Sequence, residues 1–264
     1  MLEILKSFGM QVLMTVGVIF LFGFVISLCN RFFYSNLSRF GMGPCYITGF
    51  IGTPIHELSH ALFCVIFGHK IKDIRLFQIN SDDGTLGYVN HSYNPKNVYH
   101  QIGNFFIGIA PIIGISAVLY GMAHFLVPQT LVDINLAIDS IDVYGGFGGL
   151  FESVKSLFIA VFAEIDTLHW WIFVILGIFL ALHMTLSHAD IRGALGGLGI
   201  ILAILLVANV ILFFVGERVL SSFTSIVVSF GGYIFGFLSL SLVISLLAVV
   251  LSLIIKFVLG IFGK

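Results

Sequence analysis

Long uncharged apolar runs alternate with short polar segments along the whole chain. A bilayer core of roughly 30 Å is crossed by about 20 apolar residues in a helix, and runs of that length recur. Phe8 to Cys29 carries no charge and is not followed by a small-residue cleavage site, so it reads as a retained first span. Pro44 to Gly68 predicts a second span and Ile102 to Leu126 a third. Leu168 to Leu186 predicts a fourth, opening on Trp170 and Trp171 as interfacial anchors, and Ala194 to Val215 a fifth. Val219 to Ile255 is uncharged throughout and too long for one ordinary span. It reads as a span preceded by an in-plane helix, in preference to a hairpin turning at Gly231-Gly232. The expected fold is an all-α polytopic membrane protein of about six transmembrane helices.

Two polar segments break the pattern. In residues 69–99, β-rich runs flank Ser81-Asp82-Asp83-Gly84-Thr85, which predicts a small β-hairpin over 71–93, between the second and third spans. Residues 127–166 hold most of the remaining acids, the cluster Gly145-Gly146-Phe147-Gly148-Gly149 and an apolar stretch from Val154 to Ala163. That segment reads as a loop with an interfacial helix.

Composition agrees with this pattern. The chain of 264 residues is 59% hydrophobic and 9% charged, against about 25% charged in soluble domains. So few charges cannot cover a water-facing surface, and mean hydropathy is +1.11. A net charge of −1 and the lack of any Lys/Arg run argue against nucleic-acid binding. Cys29, Cys45 and Cys64 lie in or beside apolar runs and read as small packing residues, not as a disulfide framework. With six spans, Lys6, Lys70, Lys72, Arg75, Lys96, Arg192, Lys256 and Lys264 share one side, against Arg31, Arg39, Lys155 and Arg218 on the other. That bias puts both termini and the hairpin in the cytoplasm; the membrane expected is a bacterial cell membrane.

The chemistry is concentrated in His56-Glu57-Leu58-Ser59-His60, an H-E-x-x-H sequence. On a helix its two imidazoles share one face a turn apart and can reach one Zn2+ ion, with Glu57 placed as general base. Composition alone predicts ~0.006 chance occurrences of the pattern in this chain. The motif also falls near the middle of an apolar run, where an ionisable group costs about 2.5–3.5 kcal/mol on insertion scales. A polar cluster that merely ties helices together gives no reason for that glutamate.

A catalytic zinc has a third protein ligand and an open position. If the fourth span's helix continues, His183, Ser187 and Asp190 recur at i, i+4 and i+7 on one face. Asp190 is the expected third ligand, with His183 and Ser187 supporting it or orienting substrate; the alternative is a helix-end carboxylate paired with Arg192. His188 points off that stripe, and His124 and Asp166 are outlying ligand candidates.

The stretch GTPIHELSHALFCVIFGHKI resembles the zinc-bearing helix of the site-2 protease family of intramembrane metallopeptidases. That family follows the motif with a small β-region, a further core helix, and a helix beginning near an aspartate that is its third zinc ligand. The same order occurs here: hairpin 71–93, the segment from Gly103-Asn104 to Gly114, then Asp190. Asp190-Ile191-Arg192-Gly193 stands where the family has N-P-D-G or L-D-G, and IGIAPIIG at 107–114 replaces G-P-x-x-N, as in a divergent branch.

The resemblance implies a single integral-membrane domain over 1–264, with a metallopeptidase core at about 44–193 and further membrane helices over 194–264. It implies one zinc on His56, His60 and Asp190, with Glu57 as base toward the activated water. Asn104 is then a donor to the substrate backbone or oxyanion, and the alternative is an interhelical hydrogen bond. The substrate is a membrane protein or membrane-embedded peptide, unwound locally, which the hairpin holds by strand addition or merely covers. Two other readings are a metal transporter or non-proteolytic metal-binding scaffold, and a membrane zinc hydrolase of soluble or non-peptide substrate.

Overall fold

The computed structural model describes residues 1–81, 84–140 and 146–262. Asp82 and Asp83 of the expected hairpin turn, and Gly145 of the glycine cluster, lie outside them. Helix α1 (Leu2–Val12) runs through a π-helical turn (Leu13–Gly17) into α2 (Val18–Asn36), so the N-terminal element is one continuous rod. Helix α3 (Gly43–Ile66) begins with Pro44 in its first turn, and just past its end the chain turns at Gly68, whose φ of +69° suits glycine. The hairpin strands are β1 (Lys70–Arg75) and β2 (Tyr88–Ser92), antiparallel, with a register shift between Ile71 and Asp73. Helix α4 (Val98–Leu126) follows, capped by the Asn97 side chain.

The segment expected as a loop with one interfacial helix forms two helices, α5 (Pro128–Asp139) and α6 (Gly146–Ala160). Leu131, Ile134 and Ile138 make a buried stripe at i, i+3 and i+7 on α5, and this periodicity outweighs the segment's acids. The Glu164 carboxylate accepts the Thr130 N–H (2.8 Å) in the first turn of α5.

Helix α7 (Leu168–Ala181) is shorter than its apolar run, because the chain leaves the helix before residues 184–187 and restarts as α8 (His188–Val215). The i, i+4, i+7 stripe of His183, Ser187 and Asp190 therefore does not exist. The physical cause is a better start at Ser187: its hydroxyl accepts the Asp190 N–H, and the Asp190 carboxylate accepts the Ser187 N–H. Helix α8 also runs unbroken across residues 193–194, so the expected boundary between core and C-terminal helices falls inside a helix.

Helix α9 (Glu217–Phe262) is continuous for 46 residues, about 69 Å of helix, with neither a turn nor a break at Gly231-Gly232. Gly231 instead lets α9 pass against the Met14 backbone, where a β-carbon would clash. Among the described residues, four stretches are long and apolar enough to cross a bilayer: Leu2–Asn36, Val98–Leu126, His188–Val215 and Glu217–Gly260. The count of six also included α3, diluted by its polar residues, and α7, which has 14 residues. Phe214, Ile211 and Val207 on α8, and Phe257 and Ile226 on α9, face outward, as an apolar solvent allows. The four stretches are compatible with an integral membrane protein.

The helices that matter for the site pack through glycines. A β-carbon on Gly52 of α3 would lie 2.5 Å from the His183 ring, and one on Gly108 of α4 would strike the Asp190 backbone. These contacts draw the α7–α8 connection onto α3 and the start of α8 onto α4.

Candidate metal centre

His56 and His60 project from one face of α3, and each ring is anchored at Nδ1 by a backbone carbonyl. His56 Nδ1 donates to the His183 carbonyl and His60 Nδ1 to the Ile107 carbonyl, both at 2.7 Å. Both acceptors are carbonyls that their own helices leave free. Pro111 has no N–H to return to Ile107, four residues earlier, so that carbonyl faces α3 unpaired. The His183 carbonyl lies beyond the last turn of α7, where no later N–H of that helix reaches it. Asn30 of α2 holds this connection in place, donating to the Ala181 and Leu182 carbonyls at 3.1 Å each.

The anchors fix the chemistry of the other ring nitrogens. A carbonyl only accepts, so each Nδ1 carries the proton and each neutral ring presents a lone pair at Nε2. The two Nε2 atoms are 3.2 Å apart, and Asp190 Oδ1 lies 3.2 Å from His60 Nε2. Asp190 Oδ2 accepts the Ser187 N–H at 2.7 Å, which aims the carboxylate. His60 Nε2 thus faces two further acceptors, His56 Nε2 and Asp190 Oδ1, with no donor between them, an arrangement that a cation relieves. His56, Glu57 and His60 also form a group whose ligand atoms all lie within 4.8 Å of one another. Two imidazole nitrogens and a carboxylate oxygen are a donor set that can hold a metal ion.

These groups line a cavity of about 370 Å³ closed on one side by the hairpin. Gly87 passes so close over α3 that a β-carbon there would lie 2.8 Å from Glu57 Cγ. Glu57 is 6% exposed and Asn104 8%, and both line the cavity. The Asn104 amide makes no side-chain hydrogen bond among the described residues, so it is not an interhelical tie. Ser187 lines the cavity as the cap of α8.

His183 does not line this cavity. Its ring is turned toward α2 and α3, with Nε2 3.0 Å from Thr48 Oγ1 and Nδ1 3.3 Å from Thr53 Oγ1, and it meets the site through its carbonyl. Asp190 and Arg192 form no ion pair, and neither His124 nor Asp166 approaches the centre. Cys64 is fully buried and outside the metal group.

Sequence reasoning missed His91, which lines the cavity from β2, and His69 behind it. A signal existed: His69 ends the motif's own run, and His91 lies in the strand that pairs back onto it. Burial first, and then the neighbouring His69 and His60 rings, hold His91 below the usual histidine range. Burial likewise lowers His69. No family profile, curated protein or solved structure matches this chain.

Proposed function

We propose that this chain is an intramembrane zinc endopeptidase that hydrolyses a peptide bond in or near a transmembrane segment of a membrane-protein substrate. The observation that carries this reading is that His60 Nε2 faces His56 Nε2 and Asp190 Oδ1, without a donor between them, beside the Glu57 carboxylate. His56, His60 and Asp190 would hold the ion. When bound, zinc supplies Lewis-acid activation of a water and of the scissile carbonyl.

Glu57 takes a proton from the attacking water at its carboxylate and passes it to the leaving nitrogen. The free Asn104 amide donates to the substrate carbonyl as charge develops there. The hairpin excludes bulk water above Glu57, and in the two-stranded sheet β2 keeps one edge for an extended segment. The motif's resemblance to the site-2 protease family supports the same reading, in which the six-span topology has both termini and the hairpin on the cytoplasmic side of a bacterial cell membrane.

The test is Glu57→Gln in purified full-length protein, with zinc content and cleavage of unfolded β-casein measured together in detergent micelles. The expected result is unchanged zinc with cleavage lowered roughly 10²–10⁴-fold. Zinc retained with cleavage at the wild-type rate overturns the peptidase reading in favour of a metal-binding scaffold.

A further inference from the structure

The proposed chemistry leaves two histidines unused, His69 buried and His91 half-buried, and their hydrogen bonds run in one direction. His100 Nδ1 accepts the Asn94 N–H at 3.1 Å, and the His100 carbonyl accepts from His69 Nε2 at 2.9 Å. A carbonyl cannot donate, so His69 carries its proton on Nε2 and its neutral ring is an acceptor at Nδ1. His91 Nδ1 lies 3.1 Å from that atom, so His91 donates through Nδ1. The remaining polar atom of His91, Nε2, has no partner among the described residues and is left as an acceptor on a ring that lines the cavity. His69 is 5% exposed, and Tyr93 is stacked on it with ring centroids 5.0 Å apart, so the acceptor that orients His91 is itself immobilised.

Resting on the peptidase reading, we infer that His91 is a catalytic residue whose Nε2 accepts a backbone N–H of the bound substrate, with His69 as its positioning residue. Beside the metal group, Glu57 and Ser187, the cavity then carries a donor in the Asn104 amide and an acceptor in His91 Nε2. These match the carbonyl and N–H that any extended peptide presents. A helical segment has both groups already paired, so the couple takes only unwound chain and reads its main chain instead of its side chains.

Two measurements test this. In metal-free, full-length protein with ¹⁵N-labelled histidine, His91 should be the Nδ1–H tautomer and His69 the Nε2–H tautomer, and His69→Leu should abolish the His91 preference. With zinc loaded, His91→Phe should retain the metal and lose about tenfold in kcat/KM on unfolded β-casein. His91→Gln, whose side-chain carbonyl also accepts, should stay within about threefold of wild type. His69→Leu should lose as much as His91→Phe, and the double variant no more than either.

His91 found as the Nε2–H tautomer, or full activity in His91→Phe, overturns the proposal. If the wild-type protein does not cleave, or Glu57→Gln cleaves normally, the peptidase reading fails by itself. The tautomers still decide whether the His69–His91 pair exists.

Discussion

Two clusters of buried or half-buried polar side chains sit among apolar helices in this molecule, and they differ in how their hydrogen bonds close. At the junction of α1, α8 and α9, Gln11 Nε2 donates to Asn209 Oδ1 (3.2 Å) and Thr224 Oγ1 (2.9 Å). Asn209 Nδ2 donates back to Gln11 Oε1 (2.7 Å). Gln11 and Asn209 are fully buried, and their amides satisfy each other. Between α3, α4 and α8, by contrast, His60 aims its bare acceptor at those of His56 and Asp190. A closed pair is interhelical glue. An open set of like-signed atoms, held apart from donors by anchored tautomers, is a place prepared for a cation. The closed pair is also the more deeply buried, but it is the balance of donors and acceptors that sets the two apart chemically.

The comparison breaks first if the open cluster does not need its metal. His60→Ala removes the acceptor that both His56 and Asp190 face and should lower zinc affinity by more than about 100-fold, beyond the cost of losing an outer partner. Asp190→Asn tests the carboxylate with less damage to α8, because asparagine still accepts the Ser187 N–H and keeps the capping box. It should lower zinc affinity by roughly 10–100-fold with helix content by circular dichroism unchanged. Zinc titration of both variants against a competing chelator is the measurement. Unchanged affinity in Asp190→Asn removes it from the ligand set.

What the sequence made legible follows from locality. His56, Glu57 and His60 were readable because one helix fixes their geometry. The long apolar helices and the hairpin were readable from hydropathy and turn residues. Asp190 was reached through a false premise, a continued helix, whereas the chain breaks at 184–187 and Ser187 starts a new one. The roles of Asn30, Ile107 and the His183 carbonyl were illegible, because each acts through a backbone atom brought in from another helix. The length of α9 was misread because an uncharged run carries no mark of its ends.

Pro111 sharpens the comparison at the next level of effect. Its missing N–H is what leaves the Ile107 carbonyl to His60. Pro111→Ala supplies an N–H that competes for that carbonyl, so His60 loses part of its anchor and zinc affinity should fall about tenfold. The helix itself gains, since proline is about 3 kcal/mol less favourable than alanine in a helix interior. Thermal unfolding of the metal-free protein in detergent should therefore shift upward while zinc binding weakens. Zinc affinity equal to wild type would mean that the freed carbonyl does not organise His60.

The smallest effect on the centre should come from the closed cluster, and that contrast makes it informative. Gln11→Leu leaves Asn209 without its reciprocal partner, and Asn209→Leu does the same to Gln11. Each single change strands a buried amide oxygen, while the remaining amide nitrogen keeps the Leu205 carbonyl or the Thr224 hydroxyl, and should cost about 1–3 kcal/mol of stability. The double change removes both polar groups, so its cost should be smaller than the sum of the singles, with a coupling of about 0.6 kcal/mol or more. None of the three variants should alter zinc affinity or the cleavage of unfolded β-casein, since no atom of this cluster lines the cavity. Denaturation in mixed micelles with zinc titration on the same samples decides the matter. Weakened zinc binding in Gln11→Leu would show that the N-terminal rod and the centre are energetically one unit, and the division between glue and site would fall.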